Sequence, residues 1–315
     1  IKCYKCAEAC GDRRAIDLTQ EETTRKFEVG TIIVATGAET FDADKKPEYG
    51  YKRYENVVDG MEFERIICAG GPTGGKLVRK DGKHADTFGF IQCVGSRDKT
   101  VGNEYCSNVC CLNSIKNAML IKEHNPDANV YIFYMDVRAF DKGFEELYNR
   151  ARKNGIIFVQ GRPSHIYEKG PDKNPVIVTE NVKTGEVMEI EVDMAILAVG
   201  VVPDKSAKKI AEKLHVPTDN NGFFMEAHPK LRPIDTPGDG IYLAGACLEP
   251  KNIHQSVASA SGAASRASVP MSKGKVEIEG ITVIVDEDKC IGCGLCVKAC
   301  PYNANKINKE TKKVE

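Results

Sequence analysis

The stretch Phe88-Gly-Phe-Ile-Gln-Cys93-Val-Gly-Ser-Arg-Asp98 opens as an apolar strand. It leads, through Tyr105-Cys106-Ser-Asn-Val-Cys110-Cys111, into the mouth of a helix. A buried strand that turns into a helix is how a dinucleotide-binding α/β unit begins, and its glycine-rich turn holds pyrophosphate at the helix N-terminus. Here the turn carries four thiols, which bind soft metals or iron–sulfur centres. The expected fold class is therefore α/β, with a nucleotide-type domain rewired for electrons.

The order of elements supports that class. Residues 26–38 read as a strand ending in Ala35-Thr36-Gly37, followed by a charged, Tyr-rich connector to about residue 60. A short helix is expected at Met61–Ile67 and a Gly- and Lys-rich loop over 70–83. Then come a strand at Phe88–Val94, a helix at Ser114–His124 with Ile115, Ala118 and Met119 at helical spacing, and a strand at Val130–Tyr134. A helix at Gly143–Asn154 and a strand at Ile156–Val159 follow. Val176–Glu180 and Val187–Val192 form a hairpin around Lys183-Thr184-Gly185, and the strand Ala195–Val199 closes on Gly200-Val-Val-Pro203. That is the order of a nucleotide-binding domain with a β-meander. Gly240–Gly245 is another buried strand ending in glycine. His254–Ala267 is a small-residue helix, 269–280 a polar linker, and 281–315 a compact cysteine module.

Composition narrows the chemistry. Lys plus Arg is 44 against 45 for Asp plus Glu, a net charge of −1, so nothing points to nucleic acid or a membrane surface. The apolar runs, such as Met194-Ala-Ile-Leu-Ala-Val199, are too short to span a bilayer. No secretory signal is visible, so a cytoplasmic location is expected. Thirteen cysteines in a chain of 315 residues, most of them in clusters and some at C-x2-C spacing, favour metal ligation over disulfides. Ile1 opens the chain inside a cysteine motif, so a piece of a longer protein is expected.

Asp288-Lys-Cys290-Ile-Gly-Cys293-Gly-Leu-Cys296-Val-Lys-Ala-Cys300-Pro301 has the spacing C-x2-C-x2-C-x3-C-P of ferredoxins. Three thiolates so close in sequence fold around one corner of a cubane. Gly292 and Gly294 let backbone amides approach the sulfurs. In two-cluster ferredoxins the fourth cysteine serves the other cluster, so the partner of Cys300 stays open. A zinc knuckle is disfavoured, because zinc modules rarely use four cysteines this tightly spaced. Cys3, Cys6 and Cys10 match the last three ligands of the same pattern, with Gly11 in place of the usual proline; iron–sulfur is favoured there over a redox cysteine pair.

Cys93, Cys106, Cys110 and Cys111 form no standard motif. Buried structural cysteine is the plain alternative, but four within 19 residues beside Gly95 and Gly102 favour a centre. A negatively charged cubane at a helix start would be stabilised by the amide dipoles. Cys68 and Cys247 are isolated and are expected to be packed small hydrophobes. Gly70–Lys76 nearly fits a phosphate-binding loop, but Leu77 stands where the magnesium-binding hydroxyl is needed and no strand leads in, so it is read as a connector. His165, His215, His228 and His254 lack ligand spacing.

Thr31–Gly37, Ala195–Pro203 and Gly240–Gly245 are flavin-type signals, strand ends whose small residues let backbone approach a dinucleotide. Candidate flavin contacts are Ala35, Thr36, Gly37, Gly200, Pro203, Gly245 and Ala246. Lys251, Asn252 and Ile253 join them at the start of a helix whose amide end faces the flavin. A lysine there would stabilise a reduced, anionic flavin; a solvated Lys251 is the alternative.

Together these stretches resemble the A subunits of heterodisulfide reductases, and also the quinone-interacting oxidoreductase subunits of sulfate reducers. The most specific are Phe90–Asp98, Gly102–Cys111, Tyr131–Phe140 and His228–Pro233. The resemblance implies a thioredoxin-reductase-like core of nested Rossmann-like domains with FAD, and ferredoxin-like [4Fe–4S] segments at both ends. It implies a noncubane-motif [4Fe–4S] centre on Cys93, Cys106, Cys110 and Cys111, and cluster ligands at Cys3, Cys6, Cys10, Cys290, Cys293, Cys296 and Cys300. The expected domains are 1–12 (partial ferredoxin-type segment), 13–60 (part of the FAD domain), 61–203 (Rossmann-like domain with the four-cysteine site), 204–268 (return of the FAD domain) and 281–315 (ferredoxin-type module).

The implied activity is electron bifurcation at FAD. A pair of electrons arrives from a hydrogenase or formate dehydrogenase through a [2Fe–2S] linker protein. One goes to ferredoxin, and the other to B- and C-type subunits that reduce the heterodisulfide of coenzymes M and B. Two features depart from the family pattern: its first Gly-x-Gly-x-x-Gly and its second C-terminal ferredoxin motif are not in this chain; separately, Ala246-Cys247 stands where an acidic residue usually contacts FAD. An NAD(P)H-dependent flavin oxidoreductase of the glutamate-synthase small-subunit type should carry a Gly-rich loop after Phe88–Val94, and thiols stand there instead. A non-catalytic zinc scaffold is the remaining alternative.

Overall fold

The computed structural model describes residues 3–275, 283–302 and 304–314. Within the expected linker and C-terminal module, residues 276–282, 303 and 315 lie outside the described residues, as do 1 and 2 at the start. The chain divides into two compact units, 1–30 and 31–315.

The first unit holds one short helix, α1 (Lys5–Cys10), that ends at Gly11 with φ 55°. Proline is fixed near −65° and could not close the helix this way, which accounts for glycine at the position where proline is usual. Residues 26–30 are not a strand. The strand expected over 26–38 shrinks to β1 (Ile32–Val34), with β2 (Ala38–Thr40) after the Ala35–Gly37 turn.

In the second unit, the connector before residue 60 contains β3 (Val57–Asp59). Asp59 then caps α2 (Gly60–Ile67): its carboxylate accepts from the Met61 and Glu62 amides at 2.8 Å, and Glu62 accepts from the Asp59 amide at 3.0 Å. Next come β4 (Thr87–Val94), α3 (Cys110–His124), β5 (Asn129–Tyr134), α4 (Phe144–Lys153) and β6 (Ile157–Gln160). A meander of β7 (His165–Lys169), β8 (Asn174–Asn181) and β9 (Glu186–Glu191) returns to β10 (Met194–Val199). β11 (Val201–Pro203), α5 (Ala207–Leu214), β12 (Ile241–Leu243), α6 (Ile253–Lys273) and α7 (Leu295–Ala299) complete it.

The central sheet is parallel, with strand order β3-β10-β4-β5-β6. One face carries α2, α3 and α4 over a core that includes Phe63, Phe88, Phe90, Ile115 and Ile132. The other is covered by the meander, which brings Ile166 and Ile177 against Ile91, Phe133 and Leu197. Burial on both faces explains the unbroken apolar run of β10 and the Phe88–Ile91 run of β4.

This domain is inserted between β2 and β11, which pair antiparallel at its neck (Pro203 opposite Ala38). Outside the neck, β1 and β12 pair in parallel, with α5 packed against Val34 and Leu243, and α6 against Tyr242 and Ala244.

Three expectations fail here. The helix expected from Ser114 begins at Cys110, so two thiols sit in its first turn. The linker expected from 269 begins later: α6 continues through Pro270 to Lys273 and stops at Gly274. Pro270 cannot donate to the Arg266 carbonyl, yet the helix continues past it. Cys68, expected to be packed, is exposed at the C-terminal end of α2.

Candidate functional site

Strand order reverses between β4 and β10: the chain runs from β4 outward to β5 and β6, then returns to β10 on the other side. The crevice beyond the carboxyl ends of strands at such a reversal is where open α/β sheets bind ligands. Cys93, Cys106, Cys110 and Cys111 lie there.

A β-bulge aims the first of them. Leu197 pairs with Ile91 and Val199 with Val94, so β4 has one more residue than β10 between those pairs. Cys93 takes up the extra length with φ 60°, in the left-handed region. Residues 95–109 form a loop tied to itself and to the neck. Asp98 and Asn103 exchange backbone bonds (2.8 and 3.1 Å), and the Arg97 amide donates to the Tyr105 carbonyl (2.9 Å). The buried Ser96 and Ser107 lock its base: the Ser107 amide donates to Ser96 Oγ (3.0 Å), and the Val201 amide to Ser107 Oγ (2.8 Å). Gly200 permits this approach, since a Cβ there would lie 2.8 Å from Ser107 Oγ and 3.0 Å from the Gly95 carbonyl.

Cys110 and Cys111 occupy the first turn of α3. The Cys110 thiol donates to the Val199 carbonyl at 3.5 Å, and Cys111 to that of Asp136 at 3.9 Å.

The four sulfurs form one electrostatic group, because every pair among them is close enough for charge on one to oppose charge on the other. Burial, then the Cys111 thiol, pushes Cys93 up to about 11. Burial also raises Cys110 and Cys111, with the neighbouring thiols adding to it. Left alone, these would be neutral thiols and poor nucleophiles. A bound cationic centre supplies the charge that lets such thiols ionise together.

Arg97 lies close enough to feel the charges of Cys93 and Cys106, and its guanidinium pairs with Asp136 at 2.5 Å. Among the described residues, no three His, Cys, Asp or Glu side chains are placed to hold one metal ion. A zinc ion, at about 2.3 Å from each sulfur, needs its ligands tightly convergent. Of the four sulfur donors Cys93, Cys110 and Cys111 are buried and Cys106 is half-buried, and the Arg97 guanidinium stands beside them.

In the C-terminal module the Val314 amide donates to Cys290 Sγ at 3.4 Å. That bond and another from the Gly292 amide hold the thiol below its ordinary pKa. Backbone amides stabilising thiolate are what cluster ligation requires. Cys293 and Cys296 are exposed, and Cys300 is half-buried. In the first unit Cys3 and Cys6 are exposed, while half-buried Cys10 accepts from the Ala15 amide at 3.3 Å.

The flavin-type residues of the second unit also gather. The β1–β12 pair brings the Ala35–Gly37 turn beside Gly245 and Ala246, and the neck adds Gly200 and Pro203. Thr36 Oγ1 is buried and has no hydrogen-bond partner, an orphan that a bound polar cofactor would satisfy. Cys247 is packed, its thiol 3.2 Å from the Val34 and Ala244 carbonyls.

Lys251 is paired with Glu249 and only 15 % exposed. It lines a cleft of about 530 Å³ with Lys116, Phe144 and His254. Asn252 caps α6 reciprocally with Gln255, while Ile253 is 81 % exposed. Gln255 Oε1 also accepts from Asn108 Nδ2 at 2.8 Å. That bond joins the start of α6 to the Cys106 loop, a link that residues so far apart in sequence do not announce. Arg97 and Asp136 were also missed, though Gly-Ser-Arg-Asp after a strand is a turn signal.

Residues 5–265 match the pyridine nucleotide-disulphide oxidoreductase family, and residues 283–304 the 4Fe-4S binding domain. FAD and [4Fe–4S] clusters are the cofactors these matches indicate. The chain is 49 % identical over 309 residues to the A subunit of the H(2):CoB-CoM heterodisulfide,ferredoxin reductase of Methanothermobacter thermautotrophicus, covering 98 % of this chain and 47 % of that protein. It is 47 % identical to the A subunit of the H(2)/formate:CoB-CoM heterodisulfide,ferredoxin reductase of Methanococcus maripaludis, covering 95 % and 45 %. With the A subunit of the Ferredoxin/F(420)H(2)-dependent CoB-CoM heterodisulfide reductase of Methanosarcina acetivorans it shares 42 %, over 99 % and 39 %. The chain thus spans about half or less of the length of these relatives. Among solved structures, Lactococcus lactis thioredoxin reductase aligns over 77 % of this chain and 66 % of its own, at 22 % identity and TM-score 0.46.

Proposed function

The chain belongs to the pyridine nucleotide-disulphide oxidoreductase family and resembles, over nearly its whole length, the A subunits of CoB–CoM heterodisulfide reductases; from that premise we propose that it is the flavin and iron–sulfur electron-transfer portion of a heterodisulfide reductase-type complex. The observation that carries this reading is the group of four thiols at the carboxyl end of β4, where a nucleotide-binding loop would otherwise stand. Thiols in that place argue against NAD(P)H as the donor.

Bound FAD exchanges electrons in pairs or singly, and a [4Fe–4S] cluster passes them one at a time. The protein's part is to hold and insulate. Cys93, Cys106, Cys110 and Cys111 ligate one centre, the helix start and Arg97 offset its charge, and the buried walls keep water away. The Ala35–Gly37 and Gly245–Ala246 backbones admit the flavin, with Thr36 as a polar contact. Lys251, held by Glu249, places a cation beside it. The Asn108–Gln255 bond fixes the distance between the two sites, and electron transfer depends on that distance. Cys290, Cys293, Cys296 and Cys300 serve a ferredoxin-type cluster, and Cys3, Cys6 and Cys10 part of another. We assign segments 1–12 and 281–315 to those clusters, 13–60 and 204–268 to the flavin side, and 61–203 to the four-cysteine domain.

In the assembled complex the electron pair comes from a hydrogenase or formate dehydrogenase through a [2Fe–2S] linker protein. One electron leaves for ferredoxin and one for the B- and C-type subunits. Two such pairs complete the two-electron reduction of one CoM–S–S–CoB heterodisulfide. The hydrogen, formate and ferredoxin in the relatives' names support these choices of donor and acceptor. Among the described residues no helix is long and apolar enough to cross a membrane. Clusters on reduced thiols suit the reducing cytoplasm, the compartment we propose for the complex.

The test is to purify the native complex without oxygen and measure iron, acid-labile sulfide and FAD per chain. Iron and sulfide in fourfold multiples with near-equal FAD are expected. A Cys93→Ala variant should lose about one cubane, roughly four irons. Zinc in place of iron, or no flavin in the full complex, would remove the reading.

A further inference from the structure

Gln92 immediately precedes Cys93, on the face of β4 that carries Phe88 and Phe90 against α3. Its side chain lies beneath the first turn of that helix, beside Cys111 and Ile115. It is 4 % exposed, and neither Nε2 nor Oε1 has a hydrogen-bond partner in the protein. Most buried amides are paired, and an unpaired one needs an explanation. A bridging water does not supply one, because the void beside the amide is too small to hold a water molecule. The rest of its wall is Ile115, Ile132, Tyr134, Val137 and Phe158, with Cys111 the one sulfur. A methionine or leucine would fill the same space without burying a polar group.

We propose that the Gln92 side-chain amide donates a hydrogen bond to a sulfur of the centre held by Cys93, Cys106, Cys110 and Cys111, and so raises the reduction potential of that centre. The inference rests on the iron–sulfur reading of those four thiols. Hydrogen bonds to cluster sulfurs tune reduction potential. A neutral donor stabilises the reduced state more, because that state carries one more negative charge. Gln92 is thus a positioning and tuning residue. It does not ligate iron.

The experiment compares the anaerobic complex with its Gln92→Met variant, by iron, sulfide and FAD content and by EPR-monitored redox titration. The expected result is full cofactor content, one cluster with a lower midpoint potential, and the other clusters unchanged. A variant with full cofactor content and an unchanged potential overturns the proposal. If the methionine variant does not assemble, Gln92→Leu is titrated in its place. The unmutated complex is also prepared with isotopically labelled glutamine side-chain nitrogen. A nitrogen hyperfine coupling on that cluster's reduced signal supports the hydrogen bond, and its absence overturns it. Failure of the underlying reading looks different: Cys93→Ala would then lose no iron at all.

Discussion

Replacing Asp98 by asparagine should destabilise the protein by about 3 kcal/mol, the lower end of what breaking a buried ion pair costs. The side chain is 3 % exposed. It faces Lys46 Nζ at 2.9 Å and Arg162 Nη2 at 2.5 Å, and accepts from the Thr100 amide and hydroxyl at 3.0 and 2.7 Å. Asparagine keeps the shape but leaves two cations without their shared anion. Glu48, 2.6 Å from Lys46, offsets part of the loss, which sets the choice of the lower figure.

The assay is urea unfolding of the anaerobic holoprotein, followed by far-UV circular dichroism and by the visible cluster band. The midpoint should fall with the slope unchanged. Adding Lys46→Met to Asp98→Asn should recover part of the loss, because it removes one of the stranded charges.

A pH series gives an independent check. Burial alone would raise the Asp98 pKa, but the bonds from Thr100, Lys46 and Arg162 outweigh it and hold the carboxyl well below its ordinary 3.8. A depressed folded pKa adds stability that is fully present above the unfolded value and is lost as pH falls through the folded one. The wild type should therefore lose this contribution only below about pH 4, and the variant should show no such component. A loss under about 1 kcal/mol at neutral pH would show that solvent screens the triad as it does a surface pair, and would refute the reasoning.

Two further perturbations address the cysteine site. Gly200→Ala places a methyl group 2.8 Å from Ser107 Oγ and 2.9 Å from Ser96 Cβ. It should cost about 1–3 kcal/mol by overpacking and lower the iron content per chain as the Cys106 loop is displaced; an unchanged urea midpoint and iron count would contradict the close approach. Arg97→Gln removes the cation near Cys93 and Cys106, and should lower the midpoint potential of one cluster by on the order of 50 mV, from roughly 1 kcal/mol of lost Coulomb energy. An EPR titration that shows no shift would place Arg97 outside the electrostatic reach of the centre.

The elements legible beforehand were those with a local signature. The β8–β9 hairpin, β5, α4 and β10 follow from apolar periodicity and turn residues, and the structure places them within a residue or two of expectation. β3, β7 and α5 were not legible. β3 is three residues long and pairs with the distant β10, β7 is a short strand of mixed composition beside β8, and α5 is a single lysine-rich amphipathic stretch. The start of α3 was misplaced because Cys110 and Cys111 carry no helical pattern. They open a helix that packs on the central sheet further along, through Ile115, Ala118 and Met119.

Sequence alone pointed to the ferredoxin-type module, because four cysteines stand within eleven residues at ferredoxin spacing, and residues 283–304 match the 4Fe-4S binding domain. It also determined the α/β class, through apolar runs that must be buried on both faces. Only the tertiary structure decided what surrounds Cys93. The bulge in β4, the loop locked by Ser96 and Ser107, and the first turn of α3 bring four unevenly spaced thiols together. The same packing encloses Gln92 and ties Asn108 to Gln255. These contacts join residues up to 147 positions apart, and depend on strand order and register, which no local pattern encodes.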